Sequence, residues 1–125
     1  MAKVEKFEDL RCWQAARILV KEVYKVSGRG KASTDFGFRD QIRRAAVSVI
    51  NNIAEGFGRN SNKEFIRYLE ISFASSNEVK SLLYVALDLG YLDETSTAAL
   101  QQKAESVKAM NLALIKYLRS TKGKR

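Results

Sequence analysis

The stretch QIRRAAVSVINNIAEGFGR, residues 41–59, decides the fold, because a single helical period accounts for nearly every residue in it. At steps of about 100° per residue, Phe38, Ile42, Ala45, Ala46, Val49, Ile53, Gly56 and Phe57 fall on one side. Val47, Ile50 and Ala54 widen that surface to an arc of about 200°, well beyond the ~100° stripe that a surface helix needs. So wide an arc predicts cover on two sides. What remains is a polar stripe of Gln41, Arg44, Ser48, Asn52, Glu55 and Arg59.

Outward from this helix, which the pattern extends to about 35–57, three more follow. Upstream, Leu10, Trp13, Ala16, Val20 and Val23 share one face and predict a helix over about 10–27, with Asp9 as its cap and Gly28-Arg29-Gly30 as its end. A flexible loop is expected over 31–34. Downstream, Ser61 and Glu64 form an S-x-x-E box that starts a third helix, about 62–89, which Gly90 stops. That helix is apolar nearly all round and reads as a core helix; its Ser72, Ala74, Ser75 and Ser76 are small enough to let a neighbour approach closely. Asp93 or Thr95 begins a fourth helix, about 94–119, and residues 120–125 form a basic tail. Four helices joined by short connections make one all-α domain, an up-down-up-down antiparallel four-helix bundle over 1–125.

The composition narrows the chemistry. The chain has 125 residues, 46% hydrophobic and 29% charged, which is ordinary for one globular domain. It contains no histidine, so the commonest general base and metal ligand is missing, and di-iron sites built on Glu-x-x-His are excluded. Absence of proline permits long unbroken helices. Cys12 is the only cysteine, which fits a reducing compartment, and neither a signal peptide nor a membrane span is evident; a cytoplasmic protein is expected. The net charge of +8 favours an acidic partner, nucleic acid first, although basicity alone also serves solubility.

Several side chains invite a chemical reading. Arg39 and Arg43 project from the apolar arc beside Val47, Ile50 and Ala54, where a charge must snorkel, line a basic surface, or pair with an acid of a partner chain; the last is the reading favoured. Arg59, Lys63 and Arg67 gather around the start of the third helix, where Gly56-Phe57-Gly58 and the Ser61 cap could receive a phosphate, though a plain turn is the default reading of the glycines. Glu78 sits among Ile71, Ala74, Leu82 and Val85 and is expected to be desolvated; Glu55 and Glu78 read as partners of arginines or amides rather than as catalytic acids. Asn51 and Asn52 read as helix–helix hydrogen-bonding groups. Helical spacing puts most of Trp13, Tyr24, Tyr68, Tyr84, Tyr91 and Tyr117 in or near the core, which argues against base stacking.

Phe7-Glu8-Asp9-Leu10 with Trp13-Gln14, the run 41–48, Asn52-Ile53-Ala54-Glu55-Gly56 with Gly58-Arg59, Glu64-Phe65, Ser75-Ser76, Glu78 and Leu89-Gly90-Tyr91-Leu92 together resemble the four-helix bundle proteins encoded in 23S rRNA intervening sequences. The resemblance covers nearly the whole chain. It implies an antiparallel bundle that assembles into a ring, typically a pentamer. It also implies kinship with an accessory protein of diversity-generating retroelements, a basic pentameric barrel thought to bind nucleic acid. Members often carry a proline near the position of Ile50, so its absence here suggests a straighter second helix. No catalytic residues, metal or cofactor come with the resemblance.

The sequence thus leads to a non-enzymatic homo-oligomer that contacts RNA or DNA through Arg39, Arg43, Arg44, Arg59, Lys63 and Arg67, with Val47, Ile50 and Ala54 at the subunit interface. The alternative is a protein–protein scaffold whose charge is incidental. No small-molecule substrate and no membrane partner are expected.

Overall fold

The computed structural model describes residues 4–121, so the last residues of the basic tail, 122–125, lie outside it. Four α-helices carry the fold: α1 (Arg11–Ser27), α2 (Phe36–Phe57), α3 (Asn62–Asp88) and α4 (Glu94–Ser120). Consecutive helices pack on one another and α4 returns to α1, which closes an up-down-up-down bundle with α1 and α3 on opposite corners.

Local chemistry sets the helix ends. The Asp35 carboxylate accepts from the backbone N–H of Phe38 at 3.2 Å, Ser61 Oγ from Glu64 at 3.2 Å, and Asp93 from Ser96 at 2.7 Å, each satisfying a donor that the first helical turn leaves over. At the far end of α3, Gly90 takes a φ of 76°, its N–H donates to Leu87 O and that of Tyr91 donates to Ala86 O. That crossed pair requires a left-handed residue, and glycine adopts one at least cost.

Two expectations fail at the start of the chain. Asp9 does not cap α1; it lies inside a 3-10 turn, Phe7–Asp9, and Leu10 precedes the helix in an extended conformation. Residues 31–34 are not a flexible loop but belong to a second 3-10 turn, Gly30–Thr34, held by Ser33 Oγ to Gly30 O at 2.7 Å and Thr34 Oγ1 to Lys31 O at 3.1 Å. Short side-chain oxygens returning to nearby carbonyls favour such turns over coil.

The core runs the length of the bundle, from Leu19, Val23 and Ile42 through Val49, Ile53, Phe65 and Leu69 to Val79, Leu83 and Val107. The wide apolar arc of α2 is covered on two sides, as expected, but both covers belong to its own chain: α1 and α3. Ile50 packs against this core, while Val47 and Ala54 stay half-buried at its edge. α3, by contrast, is not covered all round. A bundle gives each helix only two close neighbours, and Ile71, Tyr84, Val85 and Leu89 are left exposed.

The α2–α3 seam is unusually close. Ser48 and Ser75 hydroxyls meet at 2.7 Å, and Ser72 Oγ donates to Val49 O at 2.7 Å. A Cβ on Gly56 would lie 2.6 Å from Tyr68 Cβ and 2.9 Å from a ring carbon of Phe65. Across the other seam, Ser76 Oγ donates to Ala104 O at 2.9 Å, and the buried Asn111 amide donates to Ser72 Oγ at 3.0 Å. Asn62 donates to Leu118 O and to Thr121 Oγ1, tying the start of α3 to the end of α4. Cys12 is buried, and burial pushes its thiol up to about 11, so the reactive thiolate is scarce at neutral pH.

Two outcomes follow from these contacts. Gly56→Ala should lower unfolding free energy in urea by about 2–3 kcal/mol, since the methyl meets a Cβ and a ring. Gly37→Ala, where a Cβ meets only Asp35 Oδ1 at 3.9 Å, should be neutral or up to about 1 kcal/mol stabilising. Separately, Lys80 and Lys108 each lie 3.0 Å from Glu105 Oε2, and their hydrogen bonds hold its carboxyl below the usual range. A depressed carboxyl gives stability that is present above its unfolded value of about 4.3 and is lost as pH falls through the folded value. Glu105→Gln should therefore make the acid limb of the stability–pH curve shallower, leaving the limb set by Asp35 and Asp93, whose carboxyls are also lowered.

Candidate nucleic-acid interface

α2 and the start of α3 distribute the six candidate cations into two groups. Arg39, Arg43 and Arg44 occupy the first turns of α2; Arg59, Lys63 and Arg67 flank the α2–α3 turn. Fifteen residues separate Arg44 from Arg59, about 22 Å at 1.5 Å per residue. They do not converge on one point.

Within the first group, Arg43 is a structural clasp. Its Nε donates to Ser27 Oγ at 2.8 Å, its terminal nitrogen donates to Tyr24 O at 3.1 Å, and the guanidinium lies 4.4 Å from the Tyr24 ring centroid. It thereby satisfies a carbonyl in the last turn of α1 and places positive charge at the negative end of that helix dipole. Gly28 makes the approach possible, since a Cβ there would lie 3.0 Å from the same nitrogen. Arg39 reaches Ser33 O at 3.1 Å and Asp40 at 3.4 Å, over the Phe36 ring at 4.8 Å. The expected acid from a partner chain is thus replaced, for both arginines, by groups of their own chain. Arg43 reaches the last turns of α1, and Arg39 reaches the Gly30–Thr34 turn that joins α1 to α2.

Arg44 differs. It is exposed, makes no hydrogen bond or ion pair among the described residues, and lines an open groove of about 580 Å³ between α2 and α3. Gln41, Asp40, Ser48, Ser75 and Glu78 share that groove. Glu78 is exposed there, which corrects the expectation of a desolvated carboxyl; Ile71, Ala74 and Val85 on the same helix are exposed as well, and only Leu82 packs against the core. Asn52 bonds back to Ser48 O and Oγ in its own helix and so steadies the Ser48–Ser75 bridge instead of spanning the seam itself, while Asn51 is exposed.

In the second group, Arg59 donates to Glu55 at 2.9 Å and to the Tyr68 hydroxyl at 2.6 Å. Arg67 bonds Glu64 at 3.4 Å, and both guanidinium groups lie within 5 Å of the Tyr68 ring centroid, at 4.9 and 4.8 Å. Lys63 is exposed with no ion pair among the described residues. Gly56 and Gly58 serve helix packing and the end of α2.

Two features escaped the sequence reading. The exposed face of α1 carries Arg11, Arg17, Lys21 and Lys25, with only the half-buried Glu22 against them, 3.9 Å from Lys25. The i, i+4 spacing of 17, 21 and 25 was available as a signal. Tyr24, Tyr84 and Tyr117 are exposed rather than in the core, and so is Phe36 at 62%. None of the helices described is long and apolar enough to cross a membrane.

Comparison with known proteins adds a family and a fold. The family model for the 23S rRNA-intervening sequence protein matches residues 8–113. Among solved structures, the chain is similar to a protein of unknown function from the S23 ribosomal protein family of Bacteroides thetaiotaomicron VPI-5482, with a TM-score of 0.76 and 19% identity over 84% of this chain and 98% of that one. No curated protein matches.

The division between bonded and free arginines is measurable. Arg43→Gln should lower stability by about 1–2 kcal/mol through the lost charge-assisted bonds, and Arg44→Gln should stay within about 0.5 kcal/mol of the parent in the same urea titration.

Proposed function

The chain belongs to the 23S rRNA-intervening sequence protein family, and we propose that it acts as a non-enzymatic cytoplasmic homo-oligomer that binds RNA or DNA through phosphate contacts. The observation that carries this reading is free positive charge. On a chain of net charge +8, Arg44 and Lys63 stand exposed without an ion pair among the described residues, and the ion-paired Arg59 and Arg67 are exposed near Lys63, at the α2–α3 turn. Cations already committed to the fold, Arg39 and Arg43, offer less; their remaining donors can still meet a phosphate. Phosphates need no cleft, only accessible donors of the right sign, so two groups about 22 Å apart suit an extended polyanion better than a small ligand.

Assembly is the second half of the proposal. Val47 and Ala54, with Ile50 beneath them, form a half-buried apolar shoulder on the α1 side of α2. Ile71, Val85 and Leu89 are exposed apolar residues on the α2 side of α3, with the exposed Glu78 between Ile71 and Val85. Two different apolar patches on one molecule suit a head-to-tail contact that closes into a ring. Five subunits is the ring size that the family resemblance suggests. Such a ring would repeat Arg44 and Lys63 once per subunit. The scaffold reading has the same α3 residues in its favour, since exposed apolar groups of this kind also suit another protein.

Binding of labelled RNA and DNA should weaken steeply with salt, with a slope of log affinity on log salt of about −0.9 per phosphate neutralised. The Arg44→Glu/Lys63→Glu variant should bind more weakly and show a shallower slope. Affinity that stays flat from low to high salt contradicts the phosphate reading. Light scattering that finds a monomer at micromolar concentration contradicts the assembly. Protein partners that survive nuclease treatment, with no binding to either nucleic acid, would establish the scaffold instead.

A further inference from the structure

We propose that the α1–α2 seam is a docking surface for single-stranded nucleic acid, on which unpaired bases stack against the exposed rings of Tyr24 and Phe36 and their attendant arginines. The proposal rests on the nucleic-acid reading above and gives it a place and a strand preference.

Phe36 opens α2 and is 62% exposed, and Tyr24, in the last turns of α1, is 41% exposed. Neither ring is needed for the core. Each nevertheless holds a guanidinium at stacking distance: Arg39 lies 4.8 Å from the Phe36 centroid and Arg43 lies 4.4 Å from that of Tyr24. The arginines are held from behind, Arg39 by Ser33 O and Arg43 by Ser27 Oγ and Tyr24 O, so their planes are fixed before any ligand arrives. A fixed aromatic ring with a fixed guanidinium offers flat faces on which any base can stack.

Charge around the rings has the sign that a nucleic-acid backbone needs. Between Arg17 and Lys31 there are five cations and one acid, Glu22, and all five cations are exposed. Neutralising the negative end of α1 accounts for Lys25 and Arg29. It does not account for Arg17 and Lys21, or for the exposed ring of Tyr24 on the same helix. Phe36 and Arg43 are seven residues apart on α2, about 10 Å along the axis, close to the rise of three stacked nucleotides at about 3.4 Å each. Paired bases hide their faces inside a duplex, so a surface that works by stacking selects an unpaired strand.

The test uses the full chain with labelled oligo-dT, labelled oligo-rU and a blunt duplex, and the variants Tyr24→Leu, Phe36→Leu and the double substitution, which keep apolar bulk and charge but remove the rings. The double variant should bind both single strands at least about tenfold more weakly, with an unchanged salt slope and unchanged duplex affinity. Unaltered circular dichroism and melting would establish that the fold is intact, and Phe36→Leu alone, at the more exposed position, should already show part of the loss. Wild-type affinity for the single strands in the double variant would overturn the proposal. Equal losses for duplex and single strand would overturn it too, as would lost self-association with strand binding unchanged. If the parent chain binds none of the probes, the nucleic-acid reading falls as well; if charge variants weaken binding while the ring variants do not, only the stacking surface falls.

Discussion

The rest of the molecule depends on how closely α2 and α3 approach. Gly56 leaves no room for a side chain where α2 crosses Phe65 and Tyr68, and the Ser48–Ser75 and Ser72–Val49 bonds hold the two backbones together along the seam. Small residues there exchange apolar area for short distance, and the hydroxyls satisfy one another or a backbone carbonyl, so that little polar surface is buried without a partner. This spacing fixes where each outer residue emerges. Arg44 and Glu78 line one groove because their helices are close, and Tyr68 can receive two arginines because Gly56 lets it sit against α2.

The cations divide by what lies within reach rather than by their position on a wheel. Arg43 and Arg44 are neighbours in sequence and differ by about 100° around the helix. One finds a hydroxyl and a carbonyl of α1 beside it and becomes part of the fold; the other finds solvent. The same division holds at the far end, where Arg59 and Arg67 lean on Tyr68 and nearby glutamates while Lys63 stays free. Partnered guanidiniums are rigid and their planes are defined, whereas free ones supply charge without direction. A binding surface built from both kinds can position a strand as well as attract it.

Much of the architecture was legible because its signals are local. Ser61, Asp93 and Gly90 act within a few residues of themselves, and both ends of α3 and the start of α4 fall within a residue or so of where those residues predict them. The start of α1 was not, since Asp9 has the composition of a cap and yet lies within a 3-10 turn. The site was legible only in part. Spacing on α2 shows that Arg43 leaves the helix beside Val47 and Ile50, but its receivers stand 16 and 19 residues away in sequence, on α1, beyond anything one wheel contains. The apolar pattern of α1 drew attention to its buried face, and its basic face followed from the same arithmetic. Exposure of Tyr24 and Phe36 depends on where α1 stops and α2 begins, which only the packed bundle shows.

Asn111 settles a different question, that of which alignments of the chain are allowed. Four amphipathic helices of similar pattern could slide past one another by a turn and still bury apolar surface. Asn111 lies fully buried on α4 and hands its amide N–H to Ser72, whose own hydroxyl proton goes to Val49 O, so one polar thread passes through three helices. Slide α4 along α3 by one turn and the amide faces hydrocarbon with that donor unmet, a cost on the order of 1–3 kcal/mol; slide α2 along α3 and the Ser72 hydroxyl loses Val49 O. The thread therefore widens the energy gap between the native pairing and its near-copies, which is what makes folding lead to one structure rather than to several.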